Sequence, residues 1–410
     1  MLGELPLILT TILFVVSLAT RNGLLLFVSL AVLLVALVSR LWERRCFTGV
    51  EYRRHFSQRR AFFGEEVELT VEVVNRKVLP LAWLEVEDEV PGSLSFLSGR
   101  LSASHKAGRG LLINLFSLRW YERIRRRYRL RCDARGYHTF GPIRLRSGDL
   151  FGFTTKDLVL EQEDHILVYP RVVPVTQLGL PAKDPFGDRR SRQRLFEDPL
   201  SVAGIREYRY GDSLRRVHWK ATARAQQLQV KLYEPTTTYR LVIFLNMNTF
   251  GEDWWSFAFD HSLLEFSITV AASVASWAME SGYQVGLYAN GNARKSDSKV
   301  AIPASRDPEQ LTHILEALAA VLPFAAMPLE DLIASESWGL PYGSTLVVVT
   351  AVLNDEIVAR LSALGAAGHR LTLLLIGDHV PPITLPGITV HRIGGEEAWR
   401  DLAALAVGAG

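Results

Sequence analysis

The sequence predicts a multidomain chain: an N-terminal transmembrane helical hairpin, a β-sandwich, and a doubly wound α/β domain. Three patterns carry this expectation. Two apolar runs open the chain, hydrophobicity then alternates with a period of two to about residue 175, and from Tyr239 strand-like and helix-like segments take turns. The expected boundaries are 1–45 for two transmembrane helices, 60–175 for the sandwich, 176–236 for a linker, and 237–410 for the α/β domain.

The two opening runs are "LPLILTTILFVVSLAT" (5–20) and "GLLLFVSLAVLLVALV" (23–38), separated by Arg21 and Asn22. Each is slightly shorter than the roughly 20 residues that span a bilayer as a helix. Flanking residues extend both, the second to Trp42, whose ring is expected at the membrane interface. A signal peptide fits the first run poorly: a basic leader and a small-x-small cleavage site are lacking, and a second apolar run follows at once. Arginines 40, 44, 45, 53, 54, 59 and 60 follow the second run, against Arg21 alone in the turn. The positive-inside bias then predicts a multi-pass protein of the cell membrane with its soluble domains in the cytoplasm.

The remainder has an ordinary globular balance, with 48% apolar and 22% charged residues and a net charge of +3. Cys46 and Cys132 are the only cysteines, too few for a disulfide framework or a thiolate metal centre.

In "VELTVEVVN", Val67, Leu69, Val71 and Val73 share one face, opposite Glu68, Thr70 and Glu72. "ERIRRRYRLRC" places Ile124, Tyr128, Leu130 and Cys132 on one face and Arg123, Arg125, Arg127, Arg129 and Arg131 on the other. Such strands are half-buried and antiparallel, and the turns "PGS", "AGRG", "ARGYHTFGP" and "SGDLFGF" between them fit a sandwich. The arginine face raises a nucleic-acid reading. No aromatic residues interleave on it and no recognition helix accompanies it, so a solvated face near anionic lipid is the expectation, with no nucleic-acid partner.

From Tyr239, "RLVIFLNM", "YQVGLYAN", "STLVVVTAV" and "RLTLLLIGD" read as strands buried on both faces, the second ending at Asn290-Gly291. Helices are expected over about 260–281, over "DPEQLTHILEALAAVL" with Asp307 as its cap, and over "NDEIVARLSALGAAGH". Ligands of such sheets bind at the carboxyl ends of the strands, here the loops after Asn246, Tyr288 and Thr350.

One stretch is denser in chemistry: "GIREYRYGDSLRRVHWKATARAQQLQVKLYE" (204–234). Asp212 or Ser213 is expected to cap a short helix through "LRRVHWKATAR", and "LQVKLYE" alternates as a strand. Arg206, Arg215 and Arg224 can pair with Glu207, Asp212 and Glu234 in bidentate clamps that hold a linker to a domain. As a catalytic site the stretch is thin. His218 is its only base, and no serine or cysteine is placed beside it as nucleophile.

These residues resemble the bacterial domain-of-unknown-function-58 family, through Arg206, Glu207, Tyr208, Gly211, Asp212, Arg215, Trp219, Lys220, Ala223, Arg224, Leu228, Val230 and Glu234. The upstream "RGYHTFGPIRLRSGDLFGF" matches through Arg135, Gly136, Tyr137, Gly141, Pro142, Asp149, Phe151 and Gly152. The resemblance implies a membrane-anchored protein with a β-sandwich and a von Willebrand factor A-like C-terminal domain, of a kind often encoded beside MoxR-type AAA+ ATPases. Von Willebrand A domains often bind Mg²⁺ through a D-x-S-x-S loop with a later Thr and Asp. Here Asn246 and Asn248 stand for the Asp and first Ser, Phe250 for the second Ser, and Ala351 follows Thr350 where an Asp is expected. The loop lacks the carboxylates a hard cation favours, so no metal and no cofactor are expected.

The expected function is therefore binding, not catalysis: an adaptor that partners a MoxR-type ATPase in membrane or envelope protein maturation, touching other envelope proteins and membrane lipid. Two alternatives remain open, a hydrolase around His218 and Asp212 and a purely structural envelope protein. The acidic-aromatic loop Glu252, Asp253, Trp254 and Trp255 is a further candidate contact.

Overall fold

The computed structural model describes residues 5–20, 23–149, 154–181, 185–186, 197–209, 212, 217–235, 239–249, 259–293, 296–341, 343–377 and 384–394. The chain forms two compact units, Met1–Arg171 and Val172–Gly410.

The first unit opens with two helices, α1 (Leu5–Thr20) and α2 (Gly23–Arg45). Of these, α2 is long and apolar enough to cross a membrane, and only 11% of its apolar window is buried by the protein. The helices meet through the Ser17 and Ser29 hydroxyls, 3.0 Å apart in an otherwise apolar hairpin, the kind of small polar contact that joins helices in lipid. The last turns of α2 differ. Trp42 and Cys46 are buried in the core of the following strands, and Ser39 Oγ donates to Asp149 Oδ2 at 2.5 Å. Trp42 therefore lies against protein, where an interfacial position was expected, because the strands offer it more apolar surface than a headgroup layer does.

Twelve strands follow: β1 (Val50–Phe56), β2 (Arg60–Ala61), β3 (Glu66–Asn75), β4 (Leu81–Pro91), β5 (Ser95–Phe96), β6 (Leu101–Ala103), β7 (Arg109–Leu118), β8 (Arg123–Arg131), β9 (Gly136–Phe140), β10 (Ile143–Gly148), β11 (Thr155–Leu160) and β12 (Asp164–Val168). They make sheets in the orders β1-β3-β8-β5, β11-β10-β4-β7-β6 and β2-β12-β9. One apolar core holds residues of all three, including Leu69, Val86, Phe116, Phe140 and Ile166. It begins before the expected boundary at residue 60, since Tyr52 belongs to it.

The arginine face of β8 is matched by acids on β3. Arg125 Nε donates to Glu72 at 2.5 Å, with Arg123 at 3.5 Å from the same carboxylate and Arg127 at 3.6 Å from Glu68. Hydrogen bonding from Arg125 and the nearby arginine charges hold the Glu72 carboxyl below its usual range. Arg126, which alternation assigned to neither face, turns inward. Its guanidinium stacks 4.3 Å from the Phe116 ring and donates to Asn114 Oδ1 at 2.7 Å.

Of the arginines counted toward membrane orientation, Arg54 is internal to the fold and Arg53 is not. Arg53 pairs with Glu51 at 2.8 Å. Arg54 is fully buried and forks onto Asp88, Nε to Oδ2 at 2.8 Å and Nη2 to Oδ1 at 2.7 Å, while Tyr52 donates to the same carboxylate at 2.6 Å. Its third nitrogen reaches the carbonyls of Phe140 and Gln162. Gly141 has φ +104°, and a Cβ there would meet the Gln162 carbonyl and the Arg54 guanidinium. The "FGP" turn thus needs its glycine to close over a buried charge.

The second unit contains β13 (Glu197–Glu207), α3 (Trp219–Ala225), β14 (Gln229–Pro235), β15 (Arg240–Leu245), α4 (His261–Glu280), β16 (Gln284–Ala293), β17 (Ser296–Ser305), α5 (Gln310–Ala320), β18 (Val321–Ala325), α6 (Leu329–Ser337), β19 (Thr345–Thr350), α7 (Asp355–Ala366), β20 (Arg370–Ile376) and β21 (Ile388–Ile393). A seven-stranded sheet runs β17-β16-β15-β19-β20-β21, with β18 also on β16. Strands β16, β15, β19, β20 and β21 are parallel in succession, whereas β17 and β18 are antiparallel to β16. β16 continues through Asn290-Gly291, where a turn was expected, because these antiparallel partners give its far half a ladder. Of the apolar window of α4, 72% is buried, the mark of a core helix, and Asp260 caps it by accepting from the amides of Ser262 and Leu263. α5 starts later than expected, at Gln310, and Asp307 accepts from the Glu309 amide instead of capping the helix.

Candidate functional site

Two places in the second unit concentrate the sequence-predicted residues. The first is the hairpin of β13 and β14, which pair antiparallel with Arg206 opposite Val230. Arg206 forks onto Asp212 with both nitrogens at 2.7 Å. The same carboxylate accepts from the Arg209 amide at 2.8 Å, and Arg206 also reaches the Glu207 carbonyl at 2.9 Å. Hydrogen bonds from Arg206, then from the Arg209 amide, lower the Asp212 pKa to about 2. The Tyr208 amide donates to the Leu228 carbonyl at 2.8 Å, continuing the ladder.

Asp212 thus bonds back to Arg209, and among the described residues it caps no helix. α3 begins at Trp219, two residues after Val217, which is bridged to Val230. His218 caps α3: its Nδ1 accepts from the Ala221 amide at 3.1 Å. The base considered for a hydrolase is thus engaged through one ring nitrogen in holding the fold. Trp219 is 69% exposed, and Ile205 and Leu228 of the same motif are exposed as well. Arg224 is on the outer side of α3 and exposed. Gly211 and Arg215 lie outside the described residues, as do the side chain of Glu234, the loop Glu252 to Trp255, Phe250, and the upstream motif's Phe151 and Gly152.

The second place is the carboxyl edge of β15, β16 and β19. Here Asn246, Asn290 and Thr350 are all buried and bonded to one another. Asn246 Nδ2 donates to Thr350 Oγ1 at 3.0 Å, and Asn290 Nδ2 donates to Asn246 Oδ1 at 2.9 Å. The loop backbone completes the network. Asn290 Oδ1 accepts from the Met247 amide at 2.7 Å, Asn246 Oδ1 from the Asn248 amide at 3.1 Å, and Thr350 Oγ1 donates to the Val352 carbonyl at 2.6 Å. Asn248 thus contributes its backbone amide. Asn290 was missed in the sequence, where Asn-Gly reads as a turn. It is the centre of the network, reaching also the Met327 carbonyl at 3.0 Å.

This donor set does not fit a magnesium ion. A hard divalent cation wants free oxygens with carboxylates among them. The oxygens of Asn246 and Asn290 already accept N–H donors, all three side chains are neutral, and an amide nitrogen points at the Asn246 oxygen. Among the described residues no group of three His, Cys, Asp or Glu side chains is gathered for a metal. The arrangement instead fixes a loop, since every bond joins a strand end to the backbone or side chain of a neighbouring connection.

Comparison with known proteins bears on the same region. Residues 204–380 match the family described as "Protein of unknown function DUF58". The chain is 27% identical over 330 residues to the "Uncharacterized protein YeaD" of Bacillus subtilis (strain 168), covering 76% of this chain and 72% of that protein. Similar solved structures include a cohesin module from Clostridium perfringens (12% identity, 29% of this chain, 95% of that one, TM-score 0.21). A Pseudomonas fluorescens alkylpurine DNA glycosylase AlkC is another, at 14% identity over 38% of this chain and TM-score 0.19. This chain spans only 42% of that enzyme. TM-scores of this size establish no shared fold.

Proposed function

We propose, from the premise that the chain belongs to the DUF58 family, that it is a membrane-anchored adaptor which binds other proteins. In this reading the first unit is a β-sandwich on a helical hairpin, and the second a von Willebrand A-like domain working without its metal. The partner of best fit is a MoxR-type AAA+ ATPase acting on membrane or envelope clients, with the soluble units in the cytoplasm. Arg44 and Arg45, exposed in the last turn of α2, support that orientation.

The observation that carries the reading is the motif's combination of a fixed frame with an exposed tryptophan. Arg206 and Asp212 lock the turn, while Trp219, Ile205 and Leu228 stay exposed. Tryptophan on a rigid support is the commonest anchor of a protein interface. The closed amide network supports the same reading, as it fixes the described starts of the loops after β15 and β19 and, among the described residues, sets no nucleophile beside a base.

The test is affinity purification of the full chain from solubilised membranes, wild type beside Trp219→Ala. An AAA+ ATPase should co-purify with wild type and fall by about tenfold or more with the variant, the loss of one interface anchor. Equal recovery with both proteins, or no ATPase with either, would overturn the proposal.

A further inference from the structure

The first unit has two ends, and hydrogen bonds identify the one that α2 enters. The strand ends Asn75 of β3, Leu81 of β4, Leu118 of β7 and Arg123 of β8 gather there, with the connections 76–80 and 119–122 between them. Asn75 Nδ2 joins the two connections, donating to the Leu79 carbonyl at 3.0 Å and the Arg119 carbonyl at 2.8 Å. The Tyr121 amide donates to the Lys77 carbonyl, and the Arg76 amide to the Gly49 carbonyl just past the helix. Lys77 Nζ then ties this tip to the end of α2, donating to the Cys46 carbonyl and, at 3.0 Å, to that of Thr48.

The tip's side chains are unusual for a water-facing turn. Trp120 is 66% exposed, Tyr121 68% and Val78 64%. Tyr121 holds φ +51°, a conformation that costs a non-glycine residue energy. Arg76 and Arg119 are exposed beside them, and Arg44 and Arg45 on the adjoining turn of α2. Glu51 pairs with Arg76 at 3.0 Å, and Glu122 accepts from the Arg119 amide.

Depth follows from helix geometry. A hydrocarbon layer of about 30 Å takes up roughly 20 residues of helix, and Ser39, bonded to the buried Asp149 carboxylate, marks the turn by which α2 has reached the soluble unit. The headgroup layer beyond, a further 5–7 Å or so, takes in Arg40 to Arg45. Lys77 fastens the tip at the turn that follows. Trp42 itself is buried in the core and does not serve as the interfacial aromatic.

We propose that the connections 76–80 and 119–122 form a second membrane contact, in which Trp120, Tyr121 and Val78 enter the headgroup region of an anionic bilayer while Arg76, Arg119, Arg44 and Arg45 meet lipid phosphates. The inference rests on α2 spanning the membrane. Tryptophan and tyrosine favour that depth because one part of the ring system is apolar and the other polar, and each arginine near an anionic surface adds attraction. Two contacts fix the unit's tilt, which one helix alone leaves free.

The test is spin labelling of the full chain in vesicles of phosphatidylcholine with phosphatidylglycerol, comparing collisions with dissolved oxygen and with a water-soluble nickel complex. Labels go at Val78→Cys, at Phe27→Cys within α2, and at Leu97→Cys, which lies about 20 Å further along β8. Both native cysteines are buried and free, so they do not compete for the label. The expected result is Phe27 within the hydrocarbon layer, Val78 at interfacial depth and Leu97 in water. Adding Trp120→Ser and Tyr121→Ser should shift the Val78 label toward water. A lipid-embedded Phe27 with Val78 as aqueous as Leu97 would overturn this inference alone, whereas an aqueous Phe27 would overturn the span and the inference with it.

Discussion

Arg54–Asp88 in the first unit and Arg206–Asp212 in the second are the same bidentate clamp placed in different surroundings. In the first, both side chains are wholly buried and Tyr52 adds a third bond. In the second, Arg206 is 35% exposed and Asp212 19%. Geometry is equal, with forks of 2.7–2.8 Å and of 2.7 Å; solvent decides the consequence. Removing one partner of a buried pair strands a charge without water, whereas an exposed pair has water as a substitute. The first clamp therefore holds a unit together, and the second shapes a turn that displays neighbouring side chains.

The comparison breaks most visibly at Asp88. Asp88→Ala should cost the first unit about 3–5 kcal/mol, the penalty of an uncompensated buried charge, read as a lower denaturant midpoint of the detergent-solubilised chain. Arg54→Met with Asp88→Leu should recover part of that loss, since the carboxylate left behind, Asp164, loses Arg54 at 3.2 Å but keeps Arg59 at 3.4 Å. A single variant as stable as wild type would contradict the assignment of a buried, paired charge.

The neutral network of the second unit lies between the extremes. Asn290→Ala leaves the Met247 amide and the Asn246 oxygen short of partners, at a cost of about 1–3 kcal/mol. Hydrogen exchange should report faster exchange at Met247 with slower-exchanging strands unaffected. Asp212→Asn is expected to have the smallest effect on stability, with its consequence confined to faster exchange of the Arg209 amide.

The two clamps also separate by pH. Burial, then the charge of Asp88, pushes the Tyr52 phenol well above its ordinary value. Folding keeps that proton on. Its contribution is complete below about pH 10 and is lost as the pH rises beyond this toward the folded-state value. Asp212 has the opposite sign: its pKa is lowered from 3.8 to about 2, so its contribution is complete above pH 4 or so and is lost as the pH falls through about 2. Alkaline titration should therefore loosen the first unit, and acid titration the Arg206 turn. Tyrosine absorbance and amide exchange separate the two.

Much of this was legible in the chain. The alternation in β3 and β8 is a local property, and so are the helical patterns of α4 and α7 and the apolar runs of β15, β19 and β20. What escaped depended on partners distant in sequence. Arg54 reads as one more arginine after an apolar helix until Asp88, 34 residues on, is placed against it. Arg126 needs the Phe116 ring of the other sheet. Asn290 needs the ends of two neighbouring strands, and His218 caps α3 just after Val217, which is bridged to Val230. Arg54 reads as surface charge, His218 as a candidate base and Asn290 as part of a turn, whereas the role of each is set by partners that folding brings to it.

The central claim is that the Arg206 turn displays a binding face. Its most direct test places a photo-crosslinking amino acid at position 219 in the full chain in native membranes, with Val159, exposed on β11 of the other unit, as the control position. The account expects a discrete adduct from position 219 that contains an AAA+ ATPase and is absent from position 159. Adducts of the same pattern from both positions, or none from position 219, would contradict it.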